Sequence, residues 1–73
     1  MTINEIKKTI AAELNELFER ERFVRKLVKA GNREYENELA NLQQTLKITY
    51  SAYSRLGFNI ILDNDTEKYI IIN

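Results

Sequence analysis

From Ile3 to Val28 the chain sets Ile3, Ile6, Ile10, Leu14, Leu17, Val24 and Val28 at the 3.6-residue spacing of one helical face, and neither glycine nor proline appears before Gly31. Only Glu21 interrupts the stripe. A helix over residues 3–29 follows, about 40 Å long at about 1.5 Å per residue. The alternative is a break inside "FERERF". "TINE" opens the helix as a capping box, with Thr2 as N-cap and Glu5 reaching back to the free donors. In "KAGN", Gly31 supplies the left-handed residue that ends a helix, and Asn32 caps the next one.

The second helix spans residues 33–56. Tyr35, Leu39, Leu42, Leu46, Thr49, Tyr53 and Leu56 alternate steps of four and three, which is a coiled-coil seam. Gly57 stops it. The remainder, "FNIILDNDTEKYIII", holds two β-branched runs about a polar turn and predicts a hairpin of strands 58–62 and 67–72. With Asn64 and Asp65 at the turn, Leu62 faces Glu67, Ile60 faces Tyr69 and Phe58 faces Ile71 across the strands. Those residues then share one face, and Ile61, Ile70 and Ile72 lie on the other beside Asn59 and Lys68.

The expected fold is therefore α+β: a long antiparallel helical hairpin followed by a C-terminal β-hairpin, in a single domain of residues 1–73. The hairpin packs Phe58, Ile60 and Tyr69 on the helices. Seventy-three residues bury too little surface to be very stable alone, and with no cysteine and no histidine the usual staples are missing. Idealised helix packing and oligomerisation are the remaining remedies, and the pattern supports both. A homodimer, or a tetramer, is expected to use the seam (Leu39, Leu42, Leu46, Tyr53), the exposed Ile48 and the outer β face (Ile61, Ile70, Ile72).

Charge is balanced at 11 basic and 11 acidic residues, so no global field draws the chain to nucleic acid or to an anionic membrane. Its distribution is more informative. On helix one Lys7, Lys8, Arg22, Arg25, Lys26 and Lys29 fall on one flank of the stripe, while Glu5, Glu13, Glu16 and Glu19 fall on the other. Such flanks select partners in coiled coils, and equally they are what a solvated helix with local pairs such as Glu21–Arg25 presents. Basic residues outnumber acidic ones over 19–33, and acidic residues dominate 34–73. Arg22, Arg25, Lys26 and Lys29 are the candidate contacts to a partner or to phosphate. Neither stacking aromatics nor a recognition helix accompanies them, so nucleic acid is the runner-up partner and another protein the first.

Catalysis is not expected. Without histidine or cysteine, proton transfer would fall to carboxylate, tyrosine or lysine, and none forms a spaced pair. "DNDTE" sets Asp63, Asp65 and Glu67 at alternate positions, like the start of an EF-hand loop, but lacks that loop's glycine and terminal glutamate. It reads as an Asx-rich turn, with no metal or cofactor. The tyrosines read as packing residues. No stretch is long and apolar enough for a membrane span, and "MTINEIKKTI" lacks a signal peptide's apolar core, so a cytoplasmic location is expected.

The abundance of Ile, Asn, Lys and Glu, the small size and the missing cysteines resemble small accessory proteins of phages and mobile elements from AT-rich bacteria. That resemblance implies a host-protein partner and carries no residue roles.

Overall fold

A computed structural model describes residues 1–72. Asn73, included in the expected domain, lies outside the described residues. Helix α1 (Ile3–Lys29) runs unbroken through "FERERF", and α2 (Glu36–Arg55) follows a short 3₁₀ turn at Arg33–Tyr35. Strands β1 (Ile60–Asp63) and β2 (Lys68–Ile71) form a two-stranded antiparallel sheet. The expected α+β layout of helical hairpin and β-hairpin is present.

The helix ends follow from local chemistry. Thr2 Oγ1 accepts the Glu5 N–H at 3.2 Å, which satisfies one of the four donors a helix start leaves open. Gly31 and Gly57 both sit at φ 101, where a Cβ would be strained, and each builds the same stop. At the first, Asn32 N–H reaches Leu27 C=O and Gly31 N–H reaches Val28 C=O. At the second, Phe58 N–H reaches Tyr53 C=O and Gly57 N–H reaches Ser54 C=O. Asn32 departs from expectation. Its Nδ2 turns back to Leu27 C=O at 3.1 Å, so it closes α1 and makes no side-chain cap for the following turn.

The core lies where the β-hairpin meets both helices. Ile10, Leu14 and Ile60 are buried there, with Ile6, Leu46, Tyr53, Phe58, Tyr69 and Ile71 packed around them. The Phe58, Ile60 and Tyr69 face thus covers the helices. Val24 is buried farther along α1.

The strand register differs from the expected one by two residues. Leu62 pairs with Tyr69, not Glu67, and Ile60 with Ile71, not Tyr69; Asp63 pairs with Lys68, leaving residues 64–67 as the loop. A two-residue hairpin turn at Asn64–Asp65 would require positive φ at Asn64 in type II′ and at both residues in type I′, and neither residue adopts it. Instead Asp63 brackets a longer loop, its carboxylate accepting the Asp65 N–H and the Thr66 hydroxyl, each at 3.1 Å, and Glu67 alone is left-handed at φ 55. Because strand faces alternate with period two, this slip leaves every side chain on its expected face.

Candidate interaction surface

One amide ties the β2 edge to α1 at Tyr69. Asn15 Oδ1 accepts the Tyr69 N–H at 2.5 Å, and Asn15 Nδ2 donates to the Tyr69 C=O at 3.1 Å, so the side chain occupies the place of a neighbouring strand along the β2 edge. Beside it the Phe18 and Tyr69 rings meet edge to face with centroids 5.4 Å apart. Arg22 lies 5.5 Å above the Phe18 ring and pairs with Glu67 in the loop. Asn15, Phe18 and Arg22 belong to the basic flank of α1. The flank that reads as a partner-selecting ridge is thus, in part, where the chain's own hairpin docks.

The acidic flank meets α2. Tyr53 donates its hydroxyl to Glu13 Oε2 at 2.5 Å, and Arg20 pairs with Glu38 at 2.7 Å. The bond to Glu13, with lesser contributions from burial and charge repulsion, holds the Tyr53 hydroxyl above its usual pKa of 10.0. Burial, followed by the neighbouring Tyr50 and Glu21, does the same for Tyr69.

The expected interface residues separate into two groups. Leu46 and Tyr53 pack on the chain's own core, and Leu39 and Leu42 are half-buried on the same seam. Leu42 and Leu17 share the wall of a shallow cleft between the helices. Ile48, Ile61, Ile70 and Ile72 are exposed, the last three by 44%, 39% and 60%. Ile61 and Ile70 are paired across the strands and stand side by side on the outer face. Ile48 lies elsewhere, in an open groove of about 650 Å³ with Gln43, Lys47, Ser51, Ala52 and Arg55, and no hairpin residue lines it.

Of the candidate cations, Arg22 is engaged with Glu67, and Arg25 lies 3.8 Å from Glu21. Lys26 and Lys29 are exposed in the last turn of α1, where positive charge also complements the helix dipole. The structure therefore brings two of the arginines, Arg20 and Arg22, to acidic partners in the same chain's second half. Among the described residues, no group of three or more acidic side chains is placed to hold a metal ion, and no helix is long and apolar enough to cross a membrane.

Glu21 is the residue whose placement its spacing announces but its chemistry conceals. It fills the gap in the apolar stripe and is 4% exposed. Oε1 accepts from Gln43 Nε2 at 3.3 Å, while Oε2 is buried without a partner. It lies at a cleft of about 360 Å³ bounded by Phe18, Leu46, Tyr50 and Tyr69, with Arg25 and Lys47 alongside. A carboxylate oxygen buried without a partner costs stability; Arg25 lies 3.8 Å from the other oxygen.

The accessible surface is 5392 Å². That is about 700 Å² more than the area of an average monomer of 8.6 kDa, about 4,700 Å², in keeping with extents of 43 × 24 × 18 Å. Comparison of the chain with family models, with curated proteins and with solved structures finds no match in any of the three.

Proposed function

We propose that the protein is a non-catalytic interaction module that self-associates, first as a homodimer, and acts by occupying another protein's surface in the manner of a small accessory protein. The observation that carries this reading is the outer face of the hairpin, where Ile61 and Ile70 stand side by side and Ile72 follows, all exposed. A two-stranded hairpin gains little from leaving such side chains in water.

Sedimentation or light scattering at micromolar concentration tests the first half, with a multiple of 8.6 kDa expected. Replacing Ile70 and Ile72 together by threonine keeps β-branching and removes apolar area. The double variant is expected to shift toward the monomer with its helical circular dichroism retained. A wild-type chain that stays monomeric across this range refutes the self-association.

A further inference from the structure

The two long edges of the sheet are not equivalent. In an antiparallel ladder a residue's N–H and C=O point together, either toward the paired strand or away from it. Both backbone groups of Tyr69 go to Asn15, so the Leu62–Tyr69 pair is of the non-hydrogen-bonded kind. The Ile72 N–H bond to Asn59 C=O, three pairs away, has the complementary parity. The N–H and C=O of Leu62 and of Ile60 therefore point out of the sheet along the β1 edge. Tyr50 donates to the Ile60 C=O at 3.2 Å, and Leu62 has no partner on that side among the described residues.

The β2 edge is capped at Tyr69, on both backbone groups, by a side chain of α1, whereas on the β1 edge Tyr50 caps only the Ile60 C=O and Leu62 is left open. Edge strands in water are usually guarded by lysine, proline or a bulge. Here the open edge reads Ile60-Ile61-Leu62, with Ile61 and Leu62 exposed by 44% and 39%.

We infer that the β1 edge is where a second copy of this chain adds, antiparallel about a two-fold axis at Ile61, to make a continuous four-stranded sheet. The inference rests on the self-association proposed above and names its site. An antiparallel edge is complementary to itself, which a two-fold dimer requires. Zero net charge sets up no long-range repulsion between copies. The register follows from which groups are free. Centring on Ile61 pairs each Leu62 with Ile60 of the second copy, so both exchange N–H and C=O, with Ile60 C=O using its second lone pair beside Tyr50. Ile61 then faces itself in a close, non-hydrogen-bonded pair. Asp63 meets Asn59 of the second copy. Centring on Leu62 would instead set Ile61 against Asp63 of the second copy.

The chain has no cysteine, so a single introduced one reports the register directly. In the inferred dimer the two copies of residue 61 have Cα atoms about 4.5 Å apart, within disulfide reach, whereas the two copies of residue 70 are about 14 Å apart. Under mild oxidation Ile61→Cys is expected to cross-link at least about tenfold more than Ile70→Cys. Leu62→Pro removes an N–H that the intrachain ladder does not use, a position where an edge strand tolerates proline. It is expected to sediment as the 8.6 kDa chain with its helicity unchanged. If the wild type associates but Ile61→Cys does not cross-link, the edge assignment is overturned and self-association stands. If the wild type is a monomer, both fall. Should Leu62→Pro fail to fold, the cysteine pair alone decides.

Discussion

Replacing Glu21 by leucine is expected to stabilise the protein. The position lies on the core stripe of α1, is 4% exposed, and has one carboxylate oxygen buried without a partner. Leaving such an oxygen unsatisfied costs about 1–3 kcal/mol, and burying a leucine side chain there gains about 1.5–3 kcal/mol. The losses are smaller. The long hydrogen bond from Gln43 is worth about 0.5–1.5 kcal/mol, and the pair with Arg25, whose side chain is 41% exposed, contributes at most about 1 kcal/mol. Both partners are left able to reach water.

The net is a gain of between about 0 and 5 kcal/mol, centred near about 3 kcal/mol, and each kcal/mol raises the Tm of a domain this size by about 4–8 °C. Urea unfolding followed by helical circular dichroism, at one fixed protein concentration because association also stabilises, reads it as a rise in the midpoint at constant slope. Glu21→Gln, which removes the charge but keeps a buried polar group, is expected to fall between. A loss of more than about 1 kcal/mol in Glu21→Leu would refute the reasoning and mean that the carboxylate is satisfied in the folded protein.

Asn15→Leu strips both backbone groups of Tyr69 of their partner, and is expected to cost about 2–3 kcal/mol and to speed amide exchange at Tyr69 more than tenfold, measured by NMR; unchanged exchange would contradict the amide clamp. Tyr53 and Tyr69 both have folded pKa values raised above 10.0, so the unfolded chain loses those protons first. Their contribution is intact below pH 10 and is lost as pH rises through the folded values; stability measured from pH 9 upward should therefore fall, less so in Tyr69→Phe. With Arg20 and Arg22 paired inside the chain, retention on duplex DNA is expected to be absent, and binding that weakens steeply between about 50 and 200 mM salt would reinstate the phosphate-contact reading.

Local rules carried the elements and their limits. The spacing of Ile10, Leu14 and Val24 identified the buried side of α1, and Gly31 and Gly57 marked the stops, because those choices depend on a few neighbouring residues. Of the surface residues, Ile48, Ile61, Ile70 and Ile72 are where the pattern set them, exposed. Leu46 and Tyr53 sit on a seam that is equally legible, but periodicity says only that a seam meets something. The same is true of the charged flanks, since a wheel shows sides and not what lies against them.

What the sequence determined by itself is the order of two helices and a hairpin, the extent of the first helix, and which side chains share a face. Those depend on backbone preference and on periods of 3.6 and 2. The tertiary structure alone decided that the seam of helix two meets helix one and the hairpin of the same chain, that Asn15 caps one sheet edge at Tyr69, that Arg22 meets Glu67 and that Glu21 goes inside. Each joins groups far apart along the chain, through contacts whose energies depend on distance and burial that no local pattern contains. The register belongs with them: a shift of two residues moves every pairing while leaving both faces as they were, so hydrophobic alternation could not distinguish the two, and the Asp63-bracketed loop did.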